Sequence, residues 1–149
     1  MTDGPQDGPL PAIVTVQDEI VEEMAGIGDW LGKYEYLVRI GRELSVPAEE
    51  IRKEEHAVRG CQSRLWIKAE PRGERLSILA DSDTAITRGI IALLLRVLDG
   101  RTPSEVLSAD LYFLDRTGLR EHLSPARANG LGAMVKVIRD LAREVGGPS

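Results

Sequence analysis

Cysteine is almost absent from this chain: one thiol, Cys61, in 149 residues. A single thiol cannot close an internal disulfide, so oxidative cross-links play no part in the expected fold. Aromatic residues are also scarce, with two Trp, three Tyr and one Phe. The core must therefore be built from Leu, Ile, Val and Ala. No run of Lys or Arg is present, and the net charge is −5. That balance argues against a nucleic-acid partner. The longest apolar stretch, "AITRGIIALLLRVL", carries two arginines and is too short to cross a bilayer. The N-terminus "MTDGPQDGPLPAIV" has neither the basic start nor the apolar centre of a secretory signal. A cytoplasmic, reducing location is expected, where a free thiol stays chemically available.

What is there reads as a flexible N-terminal tail over residues 1–13 and one domain over 14–147. The length suits a single core. "VQDEIVEEMAGI" places Val16, Ile20, Met24 and Ile27 at helical spacing. "GDWLGKYEYLVRIGREL" predicts a second helix, capped by Asp29, with Trp30, Leu37, Ile40 and Leu44 inward. After a charged connection the period falls to two. "SRLWIKAE" sets Leu65, Ile67 and Ala69 on one face and Arg64, Trp66, Lys68 and Glu70 on the other. "PRG" marks a turn, and "RLSILAD" alternates again, so a β-hairpin is expected. Residues 55–59 are read as a third short strand, with Cys61 in the turn that follows.

"SDTAITRGIIALLLRVLDG" predicts a central buried helix, capped by Ser82 or Asp83 and ended by Gly100. Thr102-Pro103 starts a short helix, residues 111–123 carry no clear period, and Ser124-Pro125 opens a last helix. The fold class is α+β: a small antiparallel sheet of about three strands covered by helices.

Candidate chemistry centres on Cys61. A free thiol is often a buried hydrophobe, yet Gly60, Gln62 and Ser63 surround this one with backbone freedom and polar groups. Arg59 and Arg64 flank it, as a lowered thiol pKa would require, although alternation does not aim either at the sulfur. A Cys–His hydrolase would need His56 or His122 within hydrogen-bond reach of Cys61, with an orienting group. His56, in "RKEEHAVR", reads as a solvated edge, and His122 as part of a loop or turn. One Cys and two scattered His do not make a zinc site or hold an iron–sulfur cluster, so no metal is expected. Asp81 and Asp83 sit at a helix start, where capping competes with an exposed acidic corner for a partner. Arg127 lies in the first turn of the last helix, where a cation is unfavourable for the dipole unless an anion is near.

"KYEYLVRIGREL", "VRGCQSRLWI", "ADSDTAITRGIIALLL" and "HLSPARANGLGAMVKVIRDLA" occur in that order over about residues 18–143. In this combination the chain resembles the SufE family of sulfur-acceptor proteins. The resemblance implies helices on a small antiparallel sheet, as in IscU-type scaffolds. It implies that Cys61 takes sulfane sulfur from a cysteine desulfurase (SufS-like) as a covalent persulfide. A SufBCD-type cluster scaffold is the recipient it implies, and the desulfurase is stimulated in the process. Such a carrier acts by transpersulfidation rather than as a stand-alone enzyme. It needs no cofactor of its own, because pyridoxal phosphate belongs to the partner. Gly60, Gln62, Ser63, Asp81, Asp83 and Arg127 are the residues expected to position the cysteine loop or meet the partner. An adaptor that activates the desulfurase without carrying sulfur, or a Cys-dependent hydrolase, are the alternatives.

Overall fold

Every fourth residue from Val16 to Met24 is apolar, and a helix forms there: α1, Ile13–Ile27. It begins three residues before the expected start and buries Val16, Gln17, Ile20 and Met24. This is the first element of a computed structural model that describes residues 10–59 and 64–146. Gln17 is a polar residue in the core, yet neither end of its amide is orphaned. Its Nε2 donates to the Asp110 carbonyl at 2.9 Å, and its Oε1 accepts the Phe113 N–H at 3.1 Å.

Helix α2, Trp30–Glu43, is capped as expected: Asp29 accepts the Gly32 N–H at 2.8 Å. Leu37 is fully buried, whereas Trp30, Ile40 and Leu44 are half-buried at the core's edge. One further turn of helix, α3, Ala48–Ile51, occupies the charged connection and buries Ile51.

The hairpin is β1, Leu65–Arg72, and β2, Arg75–Ser82, paired antiparallel from Leu65↔Ser82 to Arg72↔Arg75. Its turn is Gly73-Glu74, and Gly73 takes a φ of 62°. A two-residue hairpin loop needs positive φ at its first central position, and glycine supplies it without strain. Leu65, Ile67, Leu76, Ile78 and Ala80 are buried, as the alternation requires.

The third strand expected over residues 55–59 does not form. Glu54–His56 is a 3-10 turn that uses its own backbone groups, His56 N–H to Lys53 and Ala57 N–H to Glu54. Only Ala57 pairs with the sheet, as a single bridge to Trp66. The sheet therefore has two strands among the described residues.

Helix α4, Ala85–Leu98, is the central helix and buries eight of its 14 residues. Its N-cap is Thr84, not Ser82 or Asp83, because β2 runs on through Ser82 before the chain turns. Gly100 follows its C-terminus with a φ of 79°, as expected for a helix stop. Helix α5, Pro103–Ser108, has a complete capping box between Thr102 and Glu105. The stretch without clear period holds two single-turn helices, α6, Phe113–Arg116, and α7, Leu119–His122. Helix α8, Pro125–Gly146, buries Leu131, Met134, Ile138 and Ala142 along one stripe. The core lies where α4 meets β2, α2 and α1, and α8 meets β1 and α5.

Candidate functional site at the neck of the Cys61 segment

Gly60, Cys61, Gln62 and Ser63 lie outside the described residues, and the site is defined by what holds the chain on either side of them. On the entry side, Val58 N–H donates to the Leu65 carbonyl at 2.8 Å, beside the Ala57–Trp66 bridge. The chain thus leaves the body within one hydrogen bond of where it returns. Arg59, the last residue before the segment, is exposed and pairs with Glu54 at 3.2 Å.

The exit side is held more firmly. Arg64 has both of its backbone groups bound by the end of β2. Its N–H donates to Asp83 Oδ1 at 3.2 Å, and its carbonyl accepts Ser82 Oγ–H at 2.6 Å. Asp83 N–H adds a longer bond to the same carbonyl, at 3.4 Å. Asp83 is exposed, but its carboxylate is already engaged by the neck.

Asp81 is fully buried. One oxygen accepts Arg52 Nε–H at 2.8 Å; the other accepts the Ser82 N–H at 2.8 Å and pairs with the Arg88 guanidinium. Arg88 also donates through Nε to the Gly41 carbonyl at 2.8 Å and to the Leu44 carbonyl. Arg52 donates to the Ser82 carbonyl at 3.1 Å and lies 4.7 Å from the centre of the Trp66 ring. The Arg64 guanidinium packs on the same ring at 5.2 Å. Alternation puts Trp66 on the outward face of the strand. It is nonetheless buried, because these two cations cover it.

Arg127 reaches back from the first turn of α8 to the start of α4. Its Nη1 donates to Thr87 Oγ1 at 3.2 Å, and Thr84 Oγ1 bonds the same hydroxyl at 2.7 Å. Asp81, Asp83 and Arg127 therefore converge on one corner, where β2 turns into α4 beside Arg64. The Arg127 N–H donates to Ser124 Oγ at 3.3 Å, so the side-chain contact described for its guanidinium is with a neutral hydroxyl.

Of the two histidines, His56 directly precedes the Ala57 bridge at the entry of the neck, and His122 ends α7. The His56 side chain is 15% exposed, so it is largely covered rather than on the solvated edge expected for it; its Nε2 lies 4.0 Å from Glu55. His122 stacks on Trp30 with ring centres 3.9 Å apart, and its Nδ1 is 3.0 Å from the Gly118 carbonyl. Among the described residues, no group of three or more His, Cys, Asp or Glu side chains is placed to hold a metal ion. None of the described helices is long and apolar enough to cross a membrane.

Arg52, Arg88 and Thr87 join the site without being candidates by sequence. Arg88 does carry a signal: a cation inside the apolar run "AITRGIIALLL" is rarely buried unless paired. Arg52 carries none, standing among the charges of "EEIRKEE".

A small α+β domain that grips both ends of a short thiol-bearing segment is the class defined by this fold and site. Solved structures contain the same fold: the solution structure of a hypothetical protein from Thermus thermophilus superposes with a TM-score of 0.71, over 87% of this chain and 95% of that one, at 20% identity. Sequence comparison goes further. An uncharacterized SufE-like protein of Rhizobium etli is 36% identical over 131 residues, covering 85% of this chain and 88% of its own. A SufE-like protein of Rhizobium meliloti is 34% identical over 134 residues, covering 87% and 96%. Residues 18–142 match the SufE family, described as an Fe-S metabolism associated domain, and the chain belongs to that family. Membership supports a role in sulfur transfer, in association with cysteine desulfurases.

Proposed function

We propose that Cys61 accepts sulfane sulfur from the persulfide of a cysteine desulfurase of the SufS type and hands it on for iron–sulfur cluster assembly. The observation that carries this reading is the neck: a SufE-family chain places its only thiol in a segment whose entry and exit are both fixed to the body. A fixed neck lets a short segment present one reactive atom without involving the core.

The step is a displacement at divalent sulfur. The Cys61 thiolate attacks the terminal sulfur of the donor persulfide, E–S–SH. The new S–S bond forms as the donor's S–S bond breaks. The donor leaves as a thiolate, and Cys61 becomes Cys61–S–SH, carrying the terminal proton. No electrons are gained or lost overall, so neither a metal nor a redox cofactor is needed. The rate depends on thiolate fraction and access. Gly60 serves as the hinge, and Gln62 and Ser63 hold the loop. Asp81, Asp83 and Arg127 help position the loop through the corner beside Arg64, or meet the desulfurase, with Asp83 exposed there. A SufBCD-type scaffold is the recipient, in the cytoplasm.

Intact-mass analysis after incubation with a cysteine desulfurase and cysteine tests the reading, with wild type beside Cys61→Ser. Wild type should gain one sulfur atom that reductant removes, and the variant none. Faster desulfurase turnover with both proteins, and no mass gain in either, would instead establish a non-carrying adaptor.

A further inference from the structure

The hydrogen bonds around Asp81 form an unbroken path from the end of α2 to the residue where the chain re-enters after the cysteine segment. The Gly41 and Leu44 carbonyls hold Arg88; Arg88 holds Asp81; Asp81 holds the Ser82 N–H; and Ser82 holds the Arg64 carbonyl. Arg52 braces the same path from the side, bonding both Asp81 and Ser82 and covering Trp66. Every one of these side-chain contacts except the Trp66 one ends on a backbone group or on the Asp81 carboxylate.

A buried ion pair is a poor device for stability, since well-packed apolar residues often replace it at no loss. What it does supply is direction. The planar Arg88 guanidinium holds three acceptors in one fixed fork geometry; a lysine ammonium also has three donors but no such fork, and an apolar side chain has no donor. We infer that Arg88 is a positioning residue for the sulfur-accepting step. It acts through Asp81 and Ser82 to fix Arg64, and with it the point at which the chain re-enters the body after the cysteine segment. This role rests on the reading of Cys61 as the reactive thiol. Arg88 is mostly covered, its side chain 20% exposed, so it does not depend on contact with a partner.

The experiment is alkylation of Cys61 by iodoacetamide, followed by intact mass, because the chain has no other thiol. Rates are compared for the folded protein and for the same protein in urea. Folded wild type should react at a rate distinct from that of the unfolded chain. Arg88→Met should move that rate toward the unfolded value by about threefold or more. Arg88→Lys, which keeps the charge for Asp81 but gives up the forked geometry, should fall between the two.

Val106→Ala serves as the stability control. Val106 is buried in α5, which lies beside the hairpin turn, about 25 Å along the strands from the neck. Its truncation weakens the core and should leave the alkylation rate at the wild-type value. A purely structural role for Arg88 would make both variants move together. That result would overturn the inference, as would an unmoved Arg88→Met, or a folded wild type that already reacts like the unfolded chain. Should Arg88→Met not fold, Arg88→Lys against Val106→Ala decides the same question. No desulfurase is involved in the alkylation. Absence of sulfur uptake with a shifted alkylation rate would therefore sink the proposed function and leave Arg88 positioning the Cys61 segment for some other purpose, whereas normal uptake with unmoved alkylation would sink the positioning role alone.

Discussion

Asp81 shows how a single residue changes meaning between sequence and structure. In "ADSD" it reads as a helix-capping or partner-facing carboxylate. In the fold it is the buried anion on which two arginines and a backbone N–H converge. Removing it would leave the Arg88 guanidinium covered and short of its anion. Asp81→Ala should therefore destabilise the protein by about 3 kcal/mol, read as a lower urea midpoint at unchanged slope. A loss below about 1 kcal/mol, the range of surface pairs, would mean that Asp81 does not hold the corner. Cys61 stands out as a candidate because a lone thiol between glycine and two polar residues is conspicuous in any sequence. The groups that hold the neighbouring Arg64 do not stand out. Arg52 is 29 residues from Asp81, and Arg88 reaches carbonyls 44 and 47 residues away. Periodicity describes which face a residue takes, not which distant partner waits there.

Among the elements, the α2–α4 crossing carries the clearest constraint. A β-carbon on Gly89 would lie 2.2 Å from the Leu37 carbonyl oxygen, and one on Gly41 would lie 2.2 Å from that of Ala85. The two backbones meet at this pair, which brings the Gly41 carbonyl within reach of Arg88. Gly89→Ala should cost about 1–3 kcal/mol by overpacking, equivalent to roughly 2–10 °C in melting temperature for a chain of this size. Gly132 gives the opposite case. It is exposed within α8, and a β-carbon there meets nothing within 4 Å, so Gly132→Ala should stabilise by about 0.5–1 kcal/mol. Calorimetry on both variants checks the pair; equal shifts would mean that helix propensity alone governs both sites. Sequence reading located most of the helices and the hairpin, since long stripes and alternation mark them directly. It could not see the glycine crossing, and it overextended the sheet by one strand. Five residues before Cys61 offer too short a pattern to tell a strand from a 3-10 turn that pairs only through Ala57.

At the scale of the whole molecule, α1 and α4 are joined on their outer side by charge rather than by packing. Arg96 of α4 bonds Glu23 at 2.7 and 2.8 Å and reaches Glu19 at 3.4 Å, while Tyr36 of α2 donates to Glu23 at 3.1 Å. The Arg96 hydrogen bond holds the Glu23 carboxyl below its ordinary value of 4.5, against a partial desolvation that pushes it up. A carboxyl depressed in the folded state binds its proton less readily there than in the unfolded chain. Its contribution is therefore fully present above pH 4.5 and is lost as the pH falls through the lower folded value. Arg96→Gln removes the partner that depresses it. The variant should have a lower urea midpoint than wild type at pH 7, and the gap should close as the pH falls below 4.5 and through the lower folded value. Both residues are partly exposed, so salt should narrow the gap at neutral pH. A gap that persists unchanged in acid would show that Arg96 acts through the packing of its aliphatic stem instead. The three-helix face would then be held by the same apolar contacts as the rest of the core, and its charges would be incidental to it.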